Sequence, residues 1–180
     1  MKEFSVKNVV AIGVGSALFF ILARFVAIPT PIPNTTLQVT YSLLTLISFV
    51  FGPITGALVG LIGHTITDML SYGAWWSWII ASGFFGLAMG FVGQWIGVED
   101  FNGKKIVKFL IASAVVCVIT WGFVAPLLDI LIYQEPVNKV FTQGLASGIS
   151  NYVMVAVLGT LLIKGFGKTL VKEGSLSKDN

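Results

Sequence analysis

Long apolar runs, separated by short groups of glycine, proline and polar residues, divide the chain into six segments. A helix that crosses a bilayer needs roughly 20 apolar residues, because the hydrocarbon core is about 30 Å thick and each residue rises about 1.5 Å. The pattern therefore predicts an all-α integral membrane bundle of six transmembrane helices. The predicted helices cover residues 6–27, 37–51, 54–70, 76–96, 106–133 and 140–163.

Proline and glycine define most of these bounds. Three prolines between Pro29 and Pro33 prevent the first helix from continuing, and Gly52-Pro53 ends the second. The second and third helices are short for full spans. The fifth is longer than one span needs, so it is either tilted or broken near Gly122 or Pro126. We expect one six-helix substrate-binding domain over residues 1–168 and a polar cytoplasmic tail over 169–180.

The composition excludes an ordinary soluble domain. Residues of the set AVILMFWYC make up 56% of the 180 residues and charged residues only 11%, whereas soluble domains carry about 25% charged residues. Disorder is excluded by the same figures, since it requires low hydrophobicity. Cys117 is the only cysteine, so the chain has no intrachain disulfide and no cysteine metal cluster. No metal site is predicted.

Lysine and arginine predict the orientation in the membrane. Cytoplasmic loops of membrane proteins are enriched in these residues. Nine of the 11 basic residues fall in the N-terminus, the 97–105 loop, the tail or the adjacent helix ends: Lys2, Lys7, Lys104, Lys105, Lys108, Lys164, Lys168, Lys172 and Lys178. Both termini are therefore predicted to be cytoplasmic, in a multi-pass protein of the cell membrane. The basic residues are explained as membrane anchors and not as a nucleic-acid surface.

Polar side chains inside a membrane span are costly and indicate function. Most of those in this chain fall in the outer halves of the predicted helices, and His64 and Asp68 lie one turn apart on one helix face. Small-molecule sites combine apolar and aromatic walls with a few polar groups, so this bias predicts a pocket that opens outward. The predicted substrate-binding residues are Asn34, Gln38, His64, Asp68, Trp75, Trp78, Asp129, Lys139, Gln143 and Asn151.

Several of these residues also have structural explanations. Arg24 and Lys139 are the two basic residues predicted on the outer side. The Arg24 side chain is expected either to reach the lipid headgroups or to form an ion pair with Asp68 or Asp129. The tryptophans are either a stacking surface for a flat ligand or an interfacial belt. Asp129 is a ligand contact or only an interfacial charge. Asp68 could act indirectly, by fixing the imidazole tautomer of His64.

Small residues four apart in the first helix allow another helix to approach closely. They form two overlapping pairs, Ala11 with Gly15 and Gly13 with Ala17. The same spacing occurs in the third and fourth helices, where it is interpreted as packing within the bundle. For the first helix, the spacing is compatible with two interpretations: an exposed docking face for another protein, or packing within the bundle.

Signatures of enzymatic chemistry are incomplete. Gly167-Lys168-Thr169 ends like a phosphate-binding P-loop, but Leu162 stands where the first glycine is required. One histidine also cannot form a His-Glu-x-x-His zinc site. The chain is therefore expected to be neither an enzyme nor a holder of a cofactor.

Four stretches carry a resemblance to a known family. Ile32-Pro33-Asn34-Thr35, Phe51-Gly52-Pro53, Gly60-x-x-Gly63-His64-x-x-x-Asp68 and Glu135-Pro136-x-Asn138-Lys139-Val140-Phe141 resemble the S component of energy-coupling factor (ECF) vitamin transporters. They are most similar to the branch near the riboflavin-type S components, which includes members assigned to hydroxymethylpyrimidine or pyridoxine. The resemblance covers residues 8–163.

This resemblance implies the substrate-capture subunit of an ECF-type ABC importer, with a transmembrane T component and two cytosolic ATPases as partners. ATP would be used by those partners and not by this chain. Ala11, Gly13, Gly15 and Ala17 would contact the T component, although the family motif has alanine where Gly15 stands. The loop over residues 29–36 would cover the site, and the outer ends of helices 4 to 6 would supply most ligand contacts.

The substrate is expected to be a small flat heterocycle with hydroxyl groups. A hydroxymethylpyrimidine-like or pyridoxine-like ligand is favoured and riboflavin is second, because the charged groups are numerous for a large apolar flavin. Two alternatives from other classes are a ligand-free structural or regulatory membrane subunit, and an intramembrane enzyme that uses His64 and Asp68.

Overall fold

The structure, a computed structural model, describes residues 5–29, 31 and 36–170. Across these residues the chain forms six helices and one short strand pair. The strands β1 (Ile28–Pro29) and β2 (Thr36–Leu37) pair in antiparallel fashion. The helices are α1 (Val6–Phe25), α2 (Thr40–Phe51), α3 (Pro53–Met69), α4 (Trp76–Ile96), α5 (Gly103–Tyr133) and α6 (Val137–Thr169).

The helical membrane-protein class predicted from the sequence is confirmed. Four helices, α1, α4, α5 and α6, are long and apolar enough to cross a membrane, whereas α2 has 12 residues and α3 has 17. Six crossings with both termini in the cytoplasm stay a prediction. Many large apolar side chains point outward, among them Leu131 at 77% exposure and Leu145 at 65%, which is typical of a surface solvated by lipid.

The bounds of the helices follow the glycines and prolines. Gly52 adopts a φ of +91°, which allows the sharp turn from α2 into α3, and Pro53 takes the first position of α3, where no N–H is needed. The prediction was wrong at the start of the second helix. Thr36–Leu37 pairs with Ile28–Pro29, so α2 begins at Thr40 and not at residue 37.

The helix α5 is continuous through Gly122 and Pro126, where a break or a tilt was expected. Its residues Thr120–Val124 form a π-helical segment, in which the amide of Ala125 donates to the carbonyl of Thr120, five residues earlier. The wider turn directly precedes Pro126, which has no N–H to continue the α-helical pattern. A second π-helical segment, Val155–Gly159, lies within α6.

Glycines bring α3 and α4 into close contact. A Cβ atom on Gly56 would lie 2.6 Å from the carbonyl oxygen of Gly86, and one on Gly60 would meet the carbonyl of Ser82. The two backbones therefore touch directly, which only glycine permits. This confirms that the small-residue spacing in these two helices serves packing within the bundle.

The two ends of the bundle differ in chemistry, and we name them by their residues. The tryptophan end holds the last turn of α3, Trp75 just before α4, the first turns of α4 with Trp76 and Trp78, and the last turns of α5 up to Tyr133. The lysine end holds the 97–105 loop and the last turns of α6 with Lys164 and Lys168. Because α4 has 21 residues and rises about 1.5 Å per residue, the two ends lie about 30 Å apart.

Candidate functional site

The carboxylate of Asp68 lies near the end of α3 and is fully buried. It accepts hydrogen bonds from the hydroxyl of Tyr72 (3.0 Å) and from the backbone amide of Trp75 (3.1 Å), and its Oδ1 lies 3.3 Å from Nε2 of His64. Three groups from α3 and from the turn that follows it thus surround one carboxylate. Burial of a carboxylate is tolerated when such partners compensate for lost water.

The second buried carboxylate, Asp129, lies one turn before the end of α5 and is 2% exposed. It accepts hydrogen bonds from the indole N–H of Trp75 (2.6 Å to Oδ1), from the indole N–H of Trp78 (2.7 Å to Oδ2) and from the hydroxyl of Ser77. Both oxygens are therefore engaged by the first turn of α4. Because α5 holds this carboxylate in place, Asp129 fixes the orientation of the two indole rings.

Tyr133 completes this arrangement at the end of α5. Its ring stacks on that of Trp75 with 4.4 Å between the ring centroids, and its hydroxyl accepts from the backbone amide of Trp76 (2.9 Å). Stacked rings at this distance lie within the range of favourable aromatic pairs. The α5 end is therefore joined to the α4 start by stacking as well as by hydrogen bonds.

A hydrogen-bonded chain continues from Asp68 into the core. Nδ1 of His64 lies 2.6 Å from the hydroxyl of Ser82, and that hydroxyl lies 2.9 Å from the hydroxyl of Tyr41. Both ring nitrogens of His64 are thus engaged. The arrangement Asp68–His64–Ser82 has the residue types of a hydrolytic triad, but Ser82 is fully buried and has no access to a substrate in this state.

Several buried polar atoms near the tryptophan end lack partners in the described part of the chain. They include the indole N–H of Trp121 and the hydroxyls of Thr40 and Thr120. Trp121 stacks against Trp78 with 5.5 Å between centroids and meets Tyr41 edge-on at 5.0 Å. Unsatisfied buried polar groups are rare and costly in proteins, so these three groups lack the compensation that the other buried polar groups of this end receive.

The structure joins five of the ten predicted substrate-binding residues in one network: His64, Asp68, Trp75, Trp78 and Asp129. The predicted residues Gln143 and Asn151 lie on the buried face of α6, near the π-helical segment of α5. Two others are not joined to the network. Gln38 donates to the hydroxyl of Thr36 (2.8 Å), and Lys139 pairs with Glu135 (2.6 Å), with its side chain 44% exposed.

Two further predictions concern Arg24 and the first outer loop. Arg24 is exposed and makes no ion pair with Asp68 or Asp129 among the residues described, so the pairing considered from the sequence is wrong. Asn34 and most of the predicted lid, residues 29–36, lie outside the described residues.

The small residues of α1 lie on two different faces. Gly13 and Ala17 are exposed, and no atom lies within 4 Å of a Cβ placed on Gly13. Gly15 is buried, and a Cβ there would lie 2.8 Å from Cδ1 of Ile47. Gly15 is therefore corrected from a docking residue to a packing residue, because α1 packs against α2 and α3 on that side. Ala11 is half-buried.

Several members of the network were not predicted from the sequence. Tyr72 follows Asp68 by one helical turn, and that spacing could have indicated it. Ser77, Ser82 and Tyr41 had no such signal, since each meets its partner on another helix. The unpartnered Trp121 and Thr120 lie in the π-helical segment, whose altered register the apolar pattern does not reveal.

Comparisons with known proteins agree on one family. A family model described as "ECF-type riboflavin transporter, S component" matches residues 3–168. A UPF0397 protein of Enterococcus faecalis is 54% identical over 99% of this chain and 100% of its own length. A UPF0397 protein of Staphylococcus aureus (strain Newman) is 47% identical over 99% of this chain and 98% of its own length.

The fold is similar to that of a solved protein, FolT. The crystal structure of FolT bound with folic acid superposes with a TM-score of 0.62, covering 88% of this chain and 98% of FolT. The two sequences are 16% identical, so the likeness concerns the arrangement of helices and not the ligand.

Proposed function

The chain belongs to the family of ECF-type riboflavin transporter S components, and from this membership we propose that it captures a small vitamin or vitamin precursor at the tryptophan end of the bundle. This family is a transporter family and not an enzyme family. The chain would deliver its substrate inward together with a transmembrane T component and two cytosolic ATPases. The tryptophan end would then face the outside of the cell membrane.

One observation carries the proposal: ordered indole rings and unpartnered buried polar atoms occur side by side at this end. Asp129 holds the rings of Trp75 and Trp78, and the indole N–H of the adjacent Trp121 has no hydrogen-bond partner among the residues that the structure describes. Flat rings provide stacking area, and a buried donor without an acceptor favours a ligand that supplies one. These are the features of a site for a flat heterocycle.

The two buried carboxylates act on such a ligand indirectly in this proposal. Asp129 already accepts from three donors and Asp68 from two, with His64 beside it. They position the rings and the loop, and Trp121, Thr120 and Asn151 contact the ligand. A site whose two buried carboxylates are already engaged suits an uncharged ring better than a phosphorylated one, a condition that hydroxymethylpyrimidine, pyridoxine and riboflavin all meet. A hydroxymethylpyrimidine-like or pyridoxine-like ligand stays the favoured one. Riboflavin is the second candidate.

The proposal predicts saturable quenching of tryptophan fluorescence by a vitamin. Four of the five tryptophans lie at the tryptophan end or stack beneath it, so a ligand there changes their emission. The purified chain would be titrated with hydroxymethylpyrimidine, pyridoxine and riboflavin, with folic acid as a comparison, and the bound ligand confirmed by calorimetry. We expect binding of one of the first three at micromolar concentration or below, about −8 kcal/mol.

The outcomes separate the alternatives. An absence of saturable binding for all three vitamins would overturn vitamin capture and support a ligand-free structural subunit. If mass spectrometry showed that the bound vitamin had been chemically converted, the result would instead support an intramembrane enzyme that uses His64. Binding with the vitamin recovered unchanged supports capture.

If the chain binds a T component through α1, larger side chains on the exposed face of this helix should weaken that binding. Gly13 and Ala17 leave a shallow surface, and small residues allow close helix approach in lipid. Gly13→Leu with Ala17→Leu should lower co-purification of the T component and ATPases by about tenfold, which corresponds to 1.4 kcal/mol. Val115→Leu, on an exposed position of α5, is the matched control and should retain the partners. Equal recovery with both variants would contradict this docking face.

A further inference from the structure

A cleft of about 290 Å³ lies at the lysine end, far from the proposed vitamin site. One wall is the connection between α4 and α5, with Asp100, Phe101 and Asn102. The other is the last part of α6, with Lys164, Gly167 and Lys168. None of these residues has a role in the function proposed above, so the cleft requires its own explanation.

The walls of the cleft are held in place by specific contacts. Phe101 is 4% exposed and packs edge-on against Phe109, with 5.6 Å between ring centroids. The ammonium group of Lys105 donates to the carbonyl of Glu99 (2.6 Å) and so fixes the connection. A Cβ on Gly167 would lie 2.5 Å from the carbonyl oxygen of Val98. The end of α6 thus touches the connection directly, and the cleft is preformed.

The chemistry of the cleft favours an anion. Lys164 and Lys168 are one turn apart on α6, so both ammonium groups project from the same face. The amino-terminal end of α5 begins at Gly103, next to Asn102, and helix amino termini carry partial positive charge. Asp100 is the one acidic lining residue, so two ammonium groups outnumber a single carboxylate.

Neighbouring residues place the cleft at the depth of lipid headgroups. Trp95, in the last turn of α4, is 64% exposed, and the ammonium group of Lys108 lies 5.3 Å from its ring centroid. Exposed tryptophan and lysine at a helix end are typical of the membrane–water interface. The cleft begins at Asp100, a few residues beyond Trp95, and a lipid phosphate would lie at the same level.

We propose that this cleft binds the phosphate of an anionic phospholipid from the leaflet at the lysine end. Lys164 and Lys168 would contact the phosphate oxygens, and Asn102 would donate a hydrogen bond. The buried ring of Phe101 forms the apolar floor beneath the headgroup. Basic pockets between membrane helices bind anionic headgroups in this way.

Native mass spectrometry of the full-length chain in a non-ionic detergent tests the proposal. The probes are short-chain phosphatidylglycerol, phosphatidylcholine with the same acyl chains, and inorganic phosphate. We expect about tenfold more retention of phosphatidylglycerol than of phosphatidylcholine, because lysines near the membrane surface attract an anionic headgroup. Lys164→Ala with Lys168→Ala should remove most of this preference.

Two further variants keep the test sharp. Lys108→Ala removes a charge at the same end but outside the cleft, and it should change retention less than about twofold if general attraction is minor. Gly167→Ala keeps every charge but displaces one wall, and it should lower retention of phosphatidylglycerol. A thermal melt of each variant reports whether the fold is intact.

The proposal is overturned if the two lipids are retained equally, or if Lys108→Ala and the double variant lose the same amount. Retention of inorganic phosphate without a preference for phosphatidylglycerol also overturns it, in favour of a soluble anion. Vitamin binding, measured in the same samples, concerns the opposite end of the bundle. Failure of one proposal is therefore distinguishable from failure of the other.

Discussion

Asp129→Ala is expected to lower the apparent melting temperature of the purified protein by roughly 10 °C and to weaken vitamin binding about 100-fold. The alanine leaves the hydroxyl of Ser77 and two indole N–H groups without their acceptor. Ser77 is fully buried, so water cannot replace the carboxylate. The rings of Trp75 and Trp78 would lose the group that orients them. Thermal melts followed by tryptophan fluorescence, together with calorimetric titration, measure both effects.

Glu135→Ala is the matched control for that experiment. Glu135 is also acidic and near the tryptophan end, but it pairs with Lys139, whose side chain is 44% exposed, whereas Asp129 is buried. Exposed ion pairs contribute only about 0–1 kcal/mol, so this variant should melt within a few degrees of the wild type. Asp129→Asn keeps the volume and one acceptor oxygen and should give an intermediate loss. Similar melting of all three variants would contradict the positioning role of Asp129.

Gly86→Ala is expected to cost about 3 kcal/mol of stability or more, because overpacking against a rigid backbone is strongly destabilising. A Cβ on Gly86 would overlap the backbone of Gly56 on the facing helix. Since both contacting groups are backbone atoms, no side chain can rotate away, and α3 and α4 must separate. Separation would also displace Ser82 from His64. The measurement is the apparent melting temperature, together with the yield of monodisperse protein.

Gly165→Ala provides the comparison for Gly86→Ala. No atom lies within 4 Å of a Cβ at Gly165, and alanine is the better helix former by about 1 kcal/mol. The same chemical change should therefore be neutral or slightly stabilising on α6. If both variants lost stability equally, the cause would be a general loss of backbone freedom and not the contact between α3 and α4.

The apolar pattern was sufficient to predict the helical membrane class, and four short sequence stretches were sufficient to indicate the family. The predicted bounds of the fourth helix, 76–96, agree with α4, and the resemblance drawn from four short stretches is confirmed by the family comparison. Lipid requires every long segment to satisfy its own backbone hydrogen bonds, so apolar length alone is informative. The close spacing of His64 and Asp68 was likewise readable, because both lie on one helix.

The pattern was less informative about contacts between helices. It gives the depth of Asp129 but not the direction in which its side chain points, so its union with Trp75 and Trp78 was not foreseen. Lys139 has the right depth for the site, yet Glu135 on the preceding turn binds it. Gly15 has the right spacing for docking, but it lies on the face of α1 that packs against Ile47 and Val59. Rotation of each helix about its axis decides all three cases.

The π-helical segment Thr120–Val124 has a consequence for the register of the whole site. One additional residue in a helical turn rotates everything after it by about 100° relative to an unbroken α-helix. Asp129 follows this segment, and its carboxylate faces α4. Deletion of one residue between positions 120 and 124 would therefore disrupt the cluster around Asp129, although every polar side chain of the cluster would still be present. In this stretch, the number of residues matters as much as their identity.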